Sequence, residues 1–98
     1  MTIQKEQNGT SLTMKLGGKL DMAAAQKLEE ELRTSLKGVT ELIIDFQDLI
    51  YLTSAGIRVL MGAQREMERS GTMVIRNVGE EIMHIFEMTG LNEVFPIE

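Results

Sequence analysis

Residues 40–71 read TELIIDFQDLIYLTSAGIRVLMGAQREMERSG, and the hydrophobic period changes once within them. Leu42-Ile43-Ile44 is a continuous run rich in β-branched side chains. Such runs mark strands covered on both faces, as in parallel pairing inside a sheet. A strand is expected from Thr40 to Phe46, with Asp48-Leu49-Ile50-Tyr51-Leu52 following as a loop. From Ala55 to about Ser70 the period is helical. Val59, Leu60, Ala63 and Met67 share one side, while Arg65, Glu66, Glu68 and Arg69 lie mostly on the other. Gly71 ends this helix, and Thr72-Met73-Val74-Ile75 reads as another buried strand. A strand, a helix and a strand in this order predict a right-handed crossover and a parallel pair.

On the N-terminal side, Ile3-Gln4-Lys5-Glu6 and Leu12-Thr13-Met14-Lys15-Leu16 alternate, with Asn8-Gly9 between them as a hairpin signal. Two antiparallel strands are predicted, the first at an edge because it has little apolar content. Gly17-Gly18 is expected to break the second strand, after which Asp21 can cap a helix over residues 22–37. In that helix Ala25, Leu28, Leu32 and Leu36 recur at helical spacing, and Gly38 is the stop. On the C-terminal side a third helix is expected over residues 79–89, with Ile82, Ile85 and Phe86 facing in and Gly90 terminating it. Val94-Phe95-Pro96-Ile97 reads as a short last strand, kept at an edge by its proline. The order β-β-α-β-α-β-α-β defines an α/β domain over residues 1–98, a mixed sheet with about three main helices packed on it.

Composition narrows the function. A chain of 98 residues can bury one modest core, roughly 60–68% of the surface its unfolded form exposes. It has no cysteine, which excludes disulfides and thiolate metal sites and fits a reducing compartment. No apolar run approaches the length of a membrane span, and MTIQKEQNGT lacks the core of a signal peptide, so a cytoplasmic protein without membrane insertion is expected. Fifteen acidic residues against ten basic ones give a net charge of −5, which repels phosphate backbones, and direct nucleic-acid binding is not expected.

Chemistry-bearing clusters are sparse. The single histidine, His84, lies mid-helix and reads as a surface residue, with a phosphorelay histidine as the sharper alternative. Glu29-Glu30-Glu31 fan apart on successive helical positions and read as a solvated face, with no cofactor or metal implied. Gly17-Gly18-Lys19 lacks the spacing and the following Ser/Thr of a phosphate loop. The eight methionines read as core filler or interface lining. Enzyme activity is not expected.

One segment stands apart, Asp48 to Leu60, where Thr53 and Ser54 sit at the change from loop to helix. Either hydroxyl can act as a plain N-cap. A phosphate on one of them would meet free N–H groups at the positive end of the helix dipole. It would also set about −1.5 to −2 charges beside a surface expected to expose Leu52 and Ile57.

At this segment the chain resembles the STAS domain of anti-sigma factor antagonists. The resemblance runs through Gly18-Lys19-Leu20-Asp21 opening the first helix, the strand ending near Asp45, Asp48-Leu49, Ser54-Ala55-Gly56-Ile57, and Met88-Thr89-Gly90-Leu91 near the end of the third helix. It implies partner switching. The unphosphorylated protein binds an anti-sigma factor that is itself a serine kinase, so freeing a sigma factor; phosphorylation breaks the complex, and a PP2C-type phosphatase restores it. By position Ser54 matches the phosphoacceptor, with Thr53 a second hydroxyl where many relatives carry Asp. Asp21, Leu52, Thr53, Ile57 and Arg58 are the expected partner-binding residues. A different role for the same domain is a non-phosphorylated STAS subunit of a membrane-associated, lipid-transport-type assembly.

Overall fold

The computed structural model describes residues 1–98. Strand β1 (Thr2–Asn8) turns into β2 (Ser11–Leu20) as the hairpin signal predicts, but one residue later than read: Asn8 pairs with Ser11, and Gly9-Thr10 form the loop, with only Gly9 at positive φ. Helix α1 (Met22–Ser35) leads to β3 (Glu41–Leu52), α2 (Ser54–Ser70) to β4 (Thr72–Arg76), and α3 (Glu80–Thr89) to a 3-10 turn at Leu91–Glu93. The sheet order is β1-β2-β3-β4, antiparallel between β1 and β2 and parallel elsewhere. This is the mixed sheet with three helices read from the sequence.

All three helices lie on one face of the sheet. Leu12, Met14 and Leu16 of β2 point to it with Leu42, Ile44 and Phe46 of β3 and Met73 and Ile75 of β4. Against them pack Ala25, Leu28 and Leu32 of α1, Leu60, Ala63 and Met67 of α2, and Ile82 and Phe86 of α3. Phe86 joins the ends of this core, its ring 6.4 Å from Phe46 and 5.5 Å from Phe95. Burying these side chains supplies the main drive to fold, at about 1.5–3 kcal/mol for each large one.

Four further details differ from the sequence reading. Leu42, Ile43 and Ile44 are all buried, but no helix layer covers the second face of β3: Ile43, 9% exposed, points away from the helices and lies outside the main cluster, between Thr13 and Val74 in register. Gly17-Gly18 does not break β2, and Asp48–Leu52 is not a loop, because the two segments pair with each other in parallel. The pairing is bulged. Lys15 faces Asp45 and Gly17 faces Asp48, so Leu16 meets two residues, Phe46 and Gln47; Gly18 faces Leu49 and Lys19 faces Tyr51, so Ile50 is extra. Gly18 holds φ +89°, a conformation that costs a side-chain-bearing residue. The segment Val94–Ile97 forms no strand beyond a single bridge between Ile75 and Ile97, Pro96 having no N–H to extend it. Finally, Ile85 is 39% exposed, although it was expected to face in with Ile82 and Phe86.

Candidate functional site

The site is built where two adjacent parallel strands stop together. Leu20 ends β2 and pairs with Leu52, the end of β3. Each strand hands over to a helix through one capping residue. Asp21 caps α1, its Oδ1 accepting from the Ala24 N–H at 2.9 Å. Thr53 caps α2, its Oγ1 accepting from the Gly56 N–H at 3.4 Å. Thr53 also ties the two strand ends together, since its backbone N–H and its hydroxyl both donate to the Leu20 carbonyl, at 3.1 and 2.9 Å.

Close packing fixes the first turn of α2. Gly56 is buried, and a Cβ placed on it would lie 2.6 Å from Leu20 Cγ and 3.1 Å from Leu52 Cδ1. The glycine of the Ser-x-Gly motif therefore lets α2 start directly above the two leucines. This geometry answers the choice of cap left open by the sequence. Thr53 is the N-cap with its hydroxyl engaged as donor and acceptor, and Ser54 is the first helical residue, exposed to solvent.

Electrostatically, two helix N-termini converge here, and neither has an acidic residue in its first turn. Their free N–H groups and aligned dipoles favour an added anion. The one carboxylate at the junction, Asp21, is partly used by its cap bond.

The structure brings Asp21, Thr53 and Ser54 to one end of the sheet, with Arg58 exposed one turn further along α2. It corrects the expected apolar surface. Leu52 is 7% exposed and belongs to the core, and Ile57 is half-buried against that core. Leu52 is therefore not available to a partner while the domain is folded. The exposed apolar side chains at this end are Met22 (69%), Ile50 (69%) and Tyr51 (53%), which the sequence reading passed over. The sequence signals only that some of Leu49-Ile50-Tyr51-Leu52 must be uncovered, since successive strand residues point to opposite faces; that the adjacent pair Ile50-Tyr51 is the exposed one follows from the bulge, which alternation does not reveal. His84 lies on α3, exposed and outside this junction.

A profile of the STAS domain matches residues 2–98, and the chain belongs to the STAS-domain family. It is 24% identical over 98 residues to the anti-sigma-B factor antagonist of Bacillus subtilis strain 168, covering 99% of this chain and 90% of that protein. A crystal structure of an anti-sigma factor antagonist from Mycobacterium paratuberculosis superposes with a TM-score of 0.87 at 22% identity, covering 98% of this chain and 83% of the other. The Bacillus cell fate determinant SpoIIAA in its phosphorylated form gives 0.78 at 24% identity, covering 99% and 91%. No helix of the chain is long and apolar enough to cross a membrane.

Proposed function

We propose that this chain is a phosphorylation-switched antagonist in a partner-switching pathway. Unphosphorylated, it binds an anti-sigma factor serine kinase and frees a sigma factor; phosphorylated on Ser54 it lets go, and a PP2C-type phosphatase resets it. It works in the cytoplasm as a bound regulator and turns over no substrate. The observation that carries the reading is the exposed Ser54 at the first position of α2, next to a Thr53 whose own hydroxyl is tied to Leu20 and Gly56. Exposed Met22, Ile50 and Tyr51, at the same end of the sheet, offer an apolar contact whose complex a phosphate charge on Ser54 would weaken. Relatives named as antagonists, and a neighbour solved in a phosphorylated form, support the same reading.

The test is phosphosite mapping on protein isolated from its own cell, joined to a kinase assay with ATP. The expected result is an acid-stable phosphate on Ser54 and a kinase complex formed only by the unphosphorylated chain. Protein that never carries phosphate at Ser54 would return the domain to the role of a subunit in a larger assembly. An acid-labile phosphate on His84 would make it a phosphocarrier.

A further inference from the structure

We infer that the groove between α1 and α2 is a second docking site, for an acidic amphipathic helix of a partner protein. The groove is a shallow, broadly open depression of about 890 Å³. Its charge contradicts that of the molecule. Arg33, Lys37, Arg58, Arg65 and Arg69 line it, five of the chain's ten Lys and Arg, against two of its fifteen Asp and Glu. The two carboxylates are already shared, Glu29 with Arg33 at 3.9 Å and Glu66 with Arg69 at 3.2 Å. Lys37, Arg58 and Arg65 form none of the chain's five ion pairs.

The layout of these groups selects the occupant. The cations are strung along both walls instead of converging on a point, and Arg58 to Arg69 spans roughly 16 Å, about three helical turns. The floor between them is a narrow apolar strip, offered mainly by half-buried Leu36 and Val59 above the core residues Leu32 and Ala63. At Gly62 a Cβ would meet nothing within 4 Å, which leaves room for an incoming side chain. A free phosphate could use the charges but not the floor, and a nucleotide, with its charges on one short phosphate chain, could reach only some of five cations strung over about three helical turns. A helix with an apolar stripe flanked by Glu or Asp uses both, in the helix-in-groove manner. The inference is independent of the Ser54 switch. Arg58 borders both surfaces, so the test uses Lys37, Arg65 and Gly62, which line the groove and are not part of the Ser54 junction.

The experiment is an NMR titration of the whole labelled chain with a synthetic helical peptide of about 16 residues, Leu on one stripe and Glu on both flanks. Parallel titrations use the same peptide with Lys in place of Glu, ATP, and inorganic phosphate. Shifts confined to residues 29–37 and 58–70 are expected with the Glu peptide alone. Affinity should fall about tenfold or more in Lys37→Glu/Arg65→Glu, in Gly62→Leu, and on raising the salt. All three substitutions change exposed or open positions, and melting curves confirm that the variants fold. The inference is overturned by equal binding of the Lys peptide, by unchanged affinity in the variants, or by shifts elsewhere. Absence of binding up to about 1 mM, a concentration that detects even weak contacts, also overturns it. So does a response to ATP or phosphate without one to the peptide, which would mark a small-anion site.

Discussion

The hydroxyl of Thr53 donates to the carbonyl oxygen of Leu20 at 2.9 Å, so the cap of one helix is anchored on the last residue of the neighbouring strand. That bond makes the two strand ends and both helix starts a single unit. It also leaves the next residue, Ser54, as the hydroxyl that faces solvent.

Thr53→Val should lose both the bond to Leu20 and the cap on Gly56, destabilising the domain by about 1–2 kcal/mol. Thr53→Ser should restore most of the loss. Chemical denaturation of the three proteins checks this, and a Val variant as stable as wild type would show that the hydroxyl is dispensable.

Gly56 and Gly62 lie on the same helix and should respond to alanine with opposite signs. Gly62→Ala meets open space and should stabilise by about 0.5–1 kcal/mol through helix propensity. Gly56→Ala must displace Leu20 and Leu52, and overpacking of about 1–3 kcal/mol should outweigh the same gain. In a chain of this size 1 kcal/mol moves the melting temperature by roughly 4–8 °C, so thermal melts separate the two readily.

Asp21 combines a structural duty with a proposed contact, and two substitutions divide them. Asp21→Ala removes the cap of α1 and should cost about 0.5–2 kcal/mol, so its effect on binding is mixed with instability. Asp21→Asn keeps an oxygen for the Ala24 N–H and removes only the charge. If the charge contacts the kinase, the Asn variant should melt close to wild type and bind more weakly. Wild-type affinity in that variant, measured by calorimetry, would leave Asp21 with its capping duty only.

For the apolar contact, Ile50→Asp and Tyr51→Ala are the cleanest probes, because both side chains are exposed and neither supports the core. Each should reduce affinity for the kinase by about tenfold or more with little change in the melt. Ile57→Asp, by contrast, should unsettle the fold, since Ile57 packs on the core.

The proposed switch is tested by Ser54→Asp. One charge at the start of α2 should be tolerated or stabilising by ~0.3–1 kcal/mol. In the complex the same charge would be desolvated without a partner, and a hundredfold loss of affinity needs only ~2.7 kcal/mol. Ser54→Ala should bind nearly as wild type. Equal affinities for the Asp and Ala variants would place Ser54 outside the interface.

What the sequence determined by itself was whatever depends on neighbours along the chain. The helical period of Ala25, Leu28 and Leu32, the hairpin near Asn8-Gly9, the cap at Asp21 and the strand–helix alternation all express local preferences, and each stands in the structure, the hairpin with its loop one residue later at Gly9-Thr10. The Ser-x-Gly motif likewise located the junction. Tertiary structure decided what depends on pairing between distant segments. Gly17–Leu20 and Asp48–Leu52 look like a break and a loop in isolation, and become strands only because they pair with each other. Their bulges turn the two-residue alternation into a spacing of three, which buries Leu49 and Leu52 and exposes Ile50 and Tyr51. Whether a leucine near Ser54 faces a partner or the core was set by that register, and so was the hydroxyl left free: Leu20, thirty-three residues before Thr53, supplies the carbonyl that holds it.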